Sequence, residues 1–109
     1  MAKVLTLNYQ GKDYTLEYTR KTVTEMERSG FVASDIEKKP MTILPELFRG
    51  AFLAHHRFVK KEIIDEILGK ITNKDEFIGK LAEMYNEPLL ALVEEPEESE
   101  GNATWTANW

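Results

Sequence analysis

The sequence predicts an α+β fold: an N-terminal β-hairpin packed on a bundle of four to five helices, with a flexible acidic C-terminal tail. Three observations carry this reading. Residues 3 to 18 alternate in side-chain type with a period of two around Gly11. Between residues 19 and 93, large apolar residues recur at helical spacing in successive runs. From Glu94 onward Glu, Pro, Ser, Gly and Asn dominate, a composition that cannot bury enough apolar surface to fold. Residues 1–93 are therefore read as a single domain and 94–109 as its tail.

In the hairpin, Val4, Thr6 and Asn8 alternate with Leu5, Leu7 and Tyr9. Gln10-Gly11-Lys12-Asp13 turns the chain, and Tyr14, Leu16 and Tyr18 resume the period. Gly11 supplies the positive φ that short hairpin turns need. A lone hairpin is only marginally stable, so its apolar face must lie on the helices that follow.

Thr22-Val23-Thr24-Glu25 reads as a capping box with Thr22 as N-cap, although Arg20-Lys21 allow an earlier start at Thr19. Val23 and Met26 face inward, Gly30 closes the helix in the left-handed cap position, and Phe31 packs back on the last turn. Residues 32 to 40 form a connection with one helical turn from Ser34, ended by Pro40. The next helix is expected from Thr42, as N-cap, to about Arg57, with Pro45 tolerated in the first turn. Ile43, Leu44, Leu47, Phe48, Ala51 and Phe52 form its wide apolar stripe, broadened by Leu53 and Ala54.

Residues 60 to 71 set Ile63, Ile64, Ile67, Leu68 and Ile71 on one face, with Lys60, Lys61, Glu62, Asp65 and Glu66 on the other. A further helix restarts at Thr72-Asn73-Lys74-Asp75-Glu76, where acids in the first turn suit the macrodipole. Phe77, Ile78, Leu81, Met84 and Tyr85 carry its apolar face. Pro88 predicts a kink or break near Asn86-Glu87, after which Leu89 to Val93 continue the stripe.

Composition narrows the function. The chain has no cysteine, so disulfides, thiol nucleophiles and thiolate metal sites are excluded. Its start lacks the pattern of a secretory signal, and no apolar run approaches a membrane span. A soluble, cytoplasmic protein is expected. Residues 1 to 93 hold 14 Lys+Arg and 14 Asp+Glu, so the net charge of −5 comes entirely from Glu94, Glu95, Glu97, Glu98 and Glu100. A neutral body with an acidic tail lacks the cationic footprint of a nucleic-acid binder.

Catalytic chemistry finds no foothold. His55-His56 are adjacent, and adjacent helical residues diverge by about 100°, so they cannot clasp one metal as an i, i+4 pair does. They read as helix-end capping or surface packing. Glu62, Asp65 and Glu66, with Lys60, Lys61 and Lys70 nearby, read as a solvated ion-pair face. The three serines lie in no nucleophile-elbow setting and the scattered glycines form no phosphate loop. Asn102-Ala103-Thr104 matches a glycosylation sequon, read as chance. No catalytic, cofactor-binding or metal-binding residue is assigned.

Binding features stand out instead. Trp105 and Trp109 follow the acidic stretch four residues apart, and tails of this composition rarely carry exposed indoles. They are read as anchors that dock on the body, on a neighbouring copy or on a partner. Phe48, Phe52 and Leu53 are read as core residues whose exposed part, if any, adds to a protein-binding surface. So many apolar faces on 109 residues also favour oligomerisation.

Several segments together resemble a family of small proteins from phage and prophage tail gene clusters, the tail assembly chaperones of long-tailed phages. They are the hairpin with Arg20-Lys21, Met26-Glu27-Arg28-Ser29-Gly30-Phe31, and the run from Lys39-Pro40-Met41-Thr42 through Leu47-Phe48-Arg49-Gly50-Ala51-Phe52. His55-His56, Lys80-Leu81-Ala82-Glu83-Met84-Tyr85-Asn86-Glu87-Pro88 and the ending Glu100-Gly101-Asn102-Ala103-Thr104-Trp105 complete the pattern. The likeness covers nearly the whole chain and includes no catalytic signature. It implies a non-enzymatic chaperone that coats the aggregation-prone tape measure protein in the bacterial cytoplasm, helps to recruit tail tube subunits, and is absent from the finished virion. It also implies a short form, which an ending at Trp109 suits, beside a longer frameshifted form. The family's binding surface carries no motif to transfer, so the candidate residues remain Phe48, Phe52, Leu53, Trp105 and Trp109.

Two other readings compete with this one. One is a structural head–tail connector or minor tail protein that stays in the virion. The other is a regulatory inhibitor that binds a host protein, its acidic tail mimicking nucleic acid.

Overall fold

The computed structural model describes residues 3–94, 101 and 103–109. These form an antiparallel hairpin of β1 (Leu5–Tyr9) and β2 (Lys12–Leu16) followed by four α-helices. The helices are α1 (Arg20–Arg28), α2 (Pro40–Gly50), α3 (Lys61–Lys70) and α4 (Lys74–Val93), with a 3₁₀ turn at Ala33–Ile36 between α1 and α2. The architecture is α+β. Among the described residues, no helix is long and apolar enough to cross a membrane.

The hairpin turn is tighter than its sequence implies. Leu5 pairs with Leu16, Leu7 with Tyr14, and Tyr9 with Lys12, so Lys12 and Asp13 already belong to β2 and only Gln10-Gly11 form the loop. Both loop residues have positive φ, 52° and 76°, as the two-residue turn that follows strand twist requires. Leu5, Leu7 and Tyr9 of β1 and Tyr14 and Leu16 of β2 face the helices, while Thr6 and Asn8 face water.

A two-stranded sheet has two open edges, and here the β2 edge is closed by the chain that leaves α2. The Thr15 amide donates to His56 Nε2 (2.9 Å) and the Glu17 amide to the Ala51 carbonyl (3.1 Å). Residues two apart on a strand point the same way, so one segment, 51–56, satisfies both donors. The Tyr18 hydroxyl then donates to the Leu47 carbonyl (2.5 Å). Burial raises the pKa of this phenol, which stays protonated.

Helix α1 begins at the earlier of the two possible starts. Thr19 is the N-cap, with the Thr22 amide donating to its hydroxyl (3.1 Å) and its own amide donating to Thr22 Oγ1 (2.9 Å). The reciprocal box is thus Thr19 with Thr22, and Glu25 is left free to bind Arg57. The C-terminus closes as expected: Gly30 has φ +98°, its amide donates to Glu27 and that of Phe31 to Met26, and Phe31 is buried.

Helix α2 starts two residues before Thr42 and ends seven before Arg57. Pro40 occupies the first helical position, where its missing amide costs nothing, so it opens the helix and does not merely end the connection. Pro45 consequently lies beyond the first turn, and the Met41 carbonyl loses its intrahelical donor in an exposed position. After Gly50 the backbone tightens: the amides of Ala51, Phe52 and Leu53 donate three residues back instead of four. Gly50 itself lies against Met26, and a β-carbon there would sit 2.4 Å from the Met26 thioether. The Met26 side chain packs across Gly50 and fills the space that a β-carbon would need, so any larger residue must displace it.

Of the kink or break expected near Asn86-Glu87, the break is absent: helix α4 continues through Pro88. Proline removes one ladder bond, that to the Met84 carbonyl, and the following turns still close, with Glu94 donating to Leu90 (2.9 Å). Tyr85, one turn earlier, is held edge-on by Tyr18 (5.4 Å) and Phe31 (5.6 Å). The core centres on Phe48 and Phe52, whose rings meet edge-on at 5.1 Å and contact Phe77 and Tyr14 respectively. Leu16, Ile67 and Leu81 complete its fully buried layer. A bidentate Arg49–Asp65 pair (2.8 and 2.9 Å) clamps α2 to α3, and the Tyr9 hydroxyl donates to Glu66 (2.8 Å). Asp65 and Glu66 thus pair with Arg49 and Tyr9 across the fold rather than with the neighbouring lysines.

Candidate functional site

The candidate binding residues separate into three environments. Phe48, on the inner face of α2, and Phe52, in the tightened turn after Gly50, are wholly inside the core and offer nothing to a partner. As contact residues they are withdrawn. Leu53 is half-buried and lines a shallow groove between α1 and α2 with Met26, Phe31 and Gly50. Trp105 and Trp109 are 84% and fully exposed, and neither indole touches another described ring. The fold does not bring these residues into one site. The acidic stretch 95–100 and Asn102 of the sequon lie outside the described residues.

Among the described residues, an extended run of exposed apolar side chains stands at the end of α4. Leu89, Leu90, Leu92 and Val93 are between 48% and 69% exposed. At about 100° per residue these four cover roughly 160° of the helix circumference. Leu81, Tyr85, Pro88 and Leu92 follow one another at spacings of four, three and four, so Leu92 prolongs the stripe by which α4 grips the core. Leu81 is fully buried on that line; Leu92 lies past the body that covers it and stands over a groove floored by Tyr18 and Thr19. Fully burying such a side chain is worth about 1.5–3 kcal/mol. Four half-exposed ones therefore offer on the order of 3–6 kcal/mol before the costs of association.

The signal for this surface was present in the sequence. Pro88-Leu89-Leu90-Ala91-Leu92-Val93 has no polar residue on any side, so a helix through it cannot turn a wet face to water. Reading the segment as the continuation of a core stripe hid that consequence.

A second exposed apolar group is Phe58, 95% exposed in the connection between α2 and α3. It lines a groove of about 650 Å³ between the hairpin tip and residues 55–60, with Tyr9, Lys12, Lys60 and Ile63. Three consecutive residues pin this connection. His55 Nε2 lies 2.7 Å from Glu17 Oε1, His56 accepts the Thr15 amide, and Arg57 makes a bidentate pair with Glu25 (3.0 and 3.0 Å). The two histidines thus join the connection to the hairpin, which gives their expected packing role a definite form. Desolvation, helped by the charges of His55 and Lys12, lowers the His56 pKa. Nε2 must be unprotonated to accept an amide, and the burial favours that state.

Nothing at either surface converges as a catalytic centre does. Among the described residues no group of three His, Asp or Glu side chains is placed to hold a metal. What these surfaces present is exposed apolar side chains beside shallow grooves.

Over residues 1–109 the chain matches the model of a family described as a domain of unknown function (DUF5055), and it belongs to that family. Comparison with curated proteins and with solved structures finds no match.

Proposed function

We propose that this protein is a non-enzymatic tail assembly chaperone of a long-tailed phage or prophage, which binds the tape measure protein through the exposed end of α4. The observation that carries the reading is the projecting face of Leu89, Leu90, Leu92 and Val93. A tape measure protein is long, helical and striped with apolar residues, and an apolar helix face joined to a groove matches such a target. Many weak contacts suit a coat better than one tight contact, because neighbouring copies raise one another's effective concentration. The gross burial available at the α4 end falls in that weak range. Resemblance of segments along nearly the whole chain to these chaperones supports the same reading. Bacterial cytoplasm as the site of action, and absence from the finished particle, follow from it.

The test is co-expression of the tagged chain with the tape measure protein of the same tail gene cluster. The proposal expects the tape measure protein to be soluble and captured with the chain, and to precipitate without it. A tape measure protein equally soluble alone and never captured rejects the proposal. Recovery of the chain from purified virions assigns it instead to the tail structure.

A further inference from the structure

We propose that the tail of one copy, residues 94–109, docks in the groove beside Phe58 of a second copy, its glutamates meeting Lys12 and Lys60 and an indole covering Phe58. This inference is independent of the tape measure protein. It rests on what the groove and the tail each lack.

The groove lacks a cover and an anion. Phe58 is 95% exposed, yet the connection that carries it is pinned at His55, His56 and Arg57. The backbone beneath the ring is therefore held in place, so covering the ring orders only its own side chain and the incoming segment. Of the charged groups in the lining, Arg57 is neutralised by Glu25, while Glu66 accepts the Tyr9 hydroxyl and keeps its negative charge, so the two lysines leave the groove one positive charge in excess. Lys12 and Lys60 remain, without an ion pair among the described residues; Lys12 stands over the Tyr14 ring at 5.6 Å. The surface is thus aromatic and cationic at once.

The tail has the complementary deficit. Residues 94–109 contain five glutamates, no lysine or arginine, and both tryptophans of the chain. Within a single copy both indoles stand in solvent, so the body that carries the tail leaves them uncovered. A second copy is the occupant that the charges favour. The body is neutral overall, so two bodies do not repel, and the whole net charge of −5 lies in the segment that would bind the lysines.

The area fits a weak, reversible dimer. One indole buries about 200 Å² and covers at most a similar area of groove, roughly 400 Å² per tail. Reciprocal exchange of two tails about a twofold axis doubles this to about 800 Å², within the small, weak class of interface.

Sedimentation velocity of the full chain over a range of concentrations, read together with tryptophan emission, tests the inference. Because both tryptophans lie in the tail, emission reports the tail alone. The expected result is a dimer whose formation shifts the emission to shorter wavelength and weakens as salt rises. W105A/W109A, F58A and K12E/K60E should each weaken association about tenfold or more. All these residues are exposed, and circular dichroism checks that each variant folds. Three results overturn the inference: a monomer with red emission; a monomer with blue emission that F58A shifts, which is a tail folded on its own body; and a dimer unchanged by W105A/W109A, which places the interface elsewhere. Capture of the tape measure protein by W105A/W109A through α4 would leave the proposed function standing whichever result is found.

Discussion

His56 links local chemistry to global stability. Its Nε2 accepts the Thr15 amide and its ring meets Tyr14 edge-on at 5.2 Å. Burial lowers its pKa below the ordinary value of 6.5, so the folded state binds its proton less readily than the unfolded state does. Wherever the unfolded chain holds more protons, stability rises with pH. The contribution of His56 is therefore complete above 6.5 and is lost as pH falls below it, ahead of the carboxylates Asp65 and Glu25. Those two are held below their ordinary range by hydrogen bonds from Arg49 and Arg57, and their contributions fade only in more acid solution. His56→Ala leaves the Thr15 amide without its partner and should cost about 1–3 kcal/mol at neutral pH. Urea denaturation of wild type and H56A at stepped pH values checks both statements: the difference in stability should shrink as pH falls below 6.5. A difference that is constant with pH would show that the imidazole does not titrate in this contact.

Elements whose caps and periodicity agree were legible; elements whose boundaries depend on long-range packing were not. The hairpin, the Gly30 closure and the Ile64–Ile67 face of α3 follow from local signals that the fold obeys. The early end of α2 does not. Nothing local stops a helix at Gly50; the tightening after it belongs to the packing of Phe48 and Phe52 and to the β2 edge that Ala51 and His56 satisfy. Gly50 is explained by Met26 on another helix, a contact that no window of sequence contains. Gly50→Val should force the buried Met26 thioether to move and cost about 1–3 kcal/mol in thermal or chemical unfolding. If Gly50→Val is neutral, the packing of Met26 across Gly50 is not a constraint. The same limit explains the candidate site. Phe48 and Phe52 lie in the core, as their stripe implies, and only the assembled fold determines that no part of either is left exposed. At Leu89–Val93 the all-apolar run is legible, but where the body beneath the stripe of α4 stops is again a property of the assembled fold.

At the scale of the whole molecule, the protein separates its tasks. A small core, tied by Arg49–Asp65, Tyr9–Glu66 and Arg57–Glu25, holds the hairpin and helices together. Among the described residues, a neutral leucine face at the end of α4 and an aromatic groove with an excess of positive charge beside Phe58 differ in character. The first suits an apolar helix; the second suits the acidic, tryptophan-bearing tail of another copy. Tail exchange would carry the acidic segments between copies, while the leucine faces stay open to a long target. Binding of the tape measure protein by the α4 face is the central claim. The most direct measurement is the capture of co-expressed tape measure protein by wild type and by the Leu89→Ser, Leu92→Ser double variant, whose exposed positions leave the core intact. The variant should fold as wild type does and capture at least about tenfold less. Capture undiminished in the folded double variant would contradict the claim.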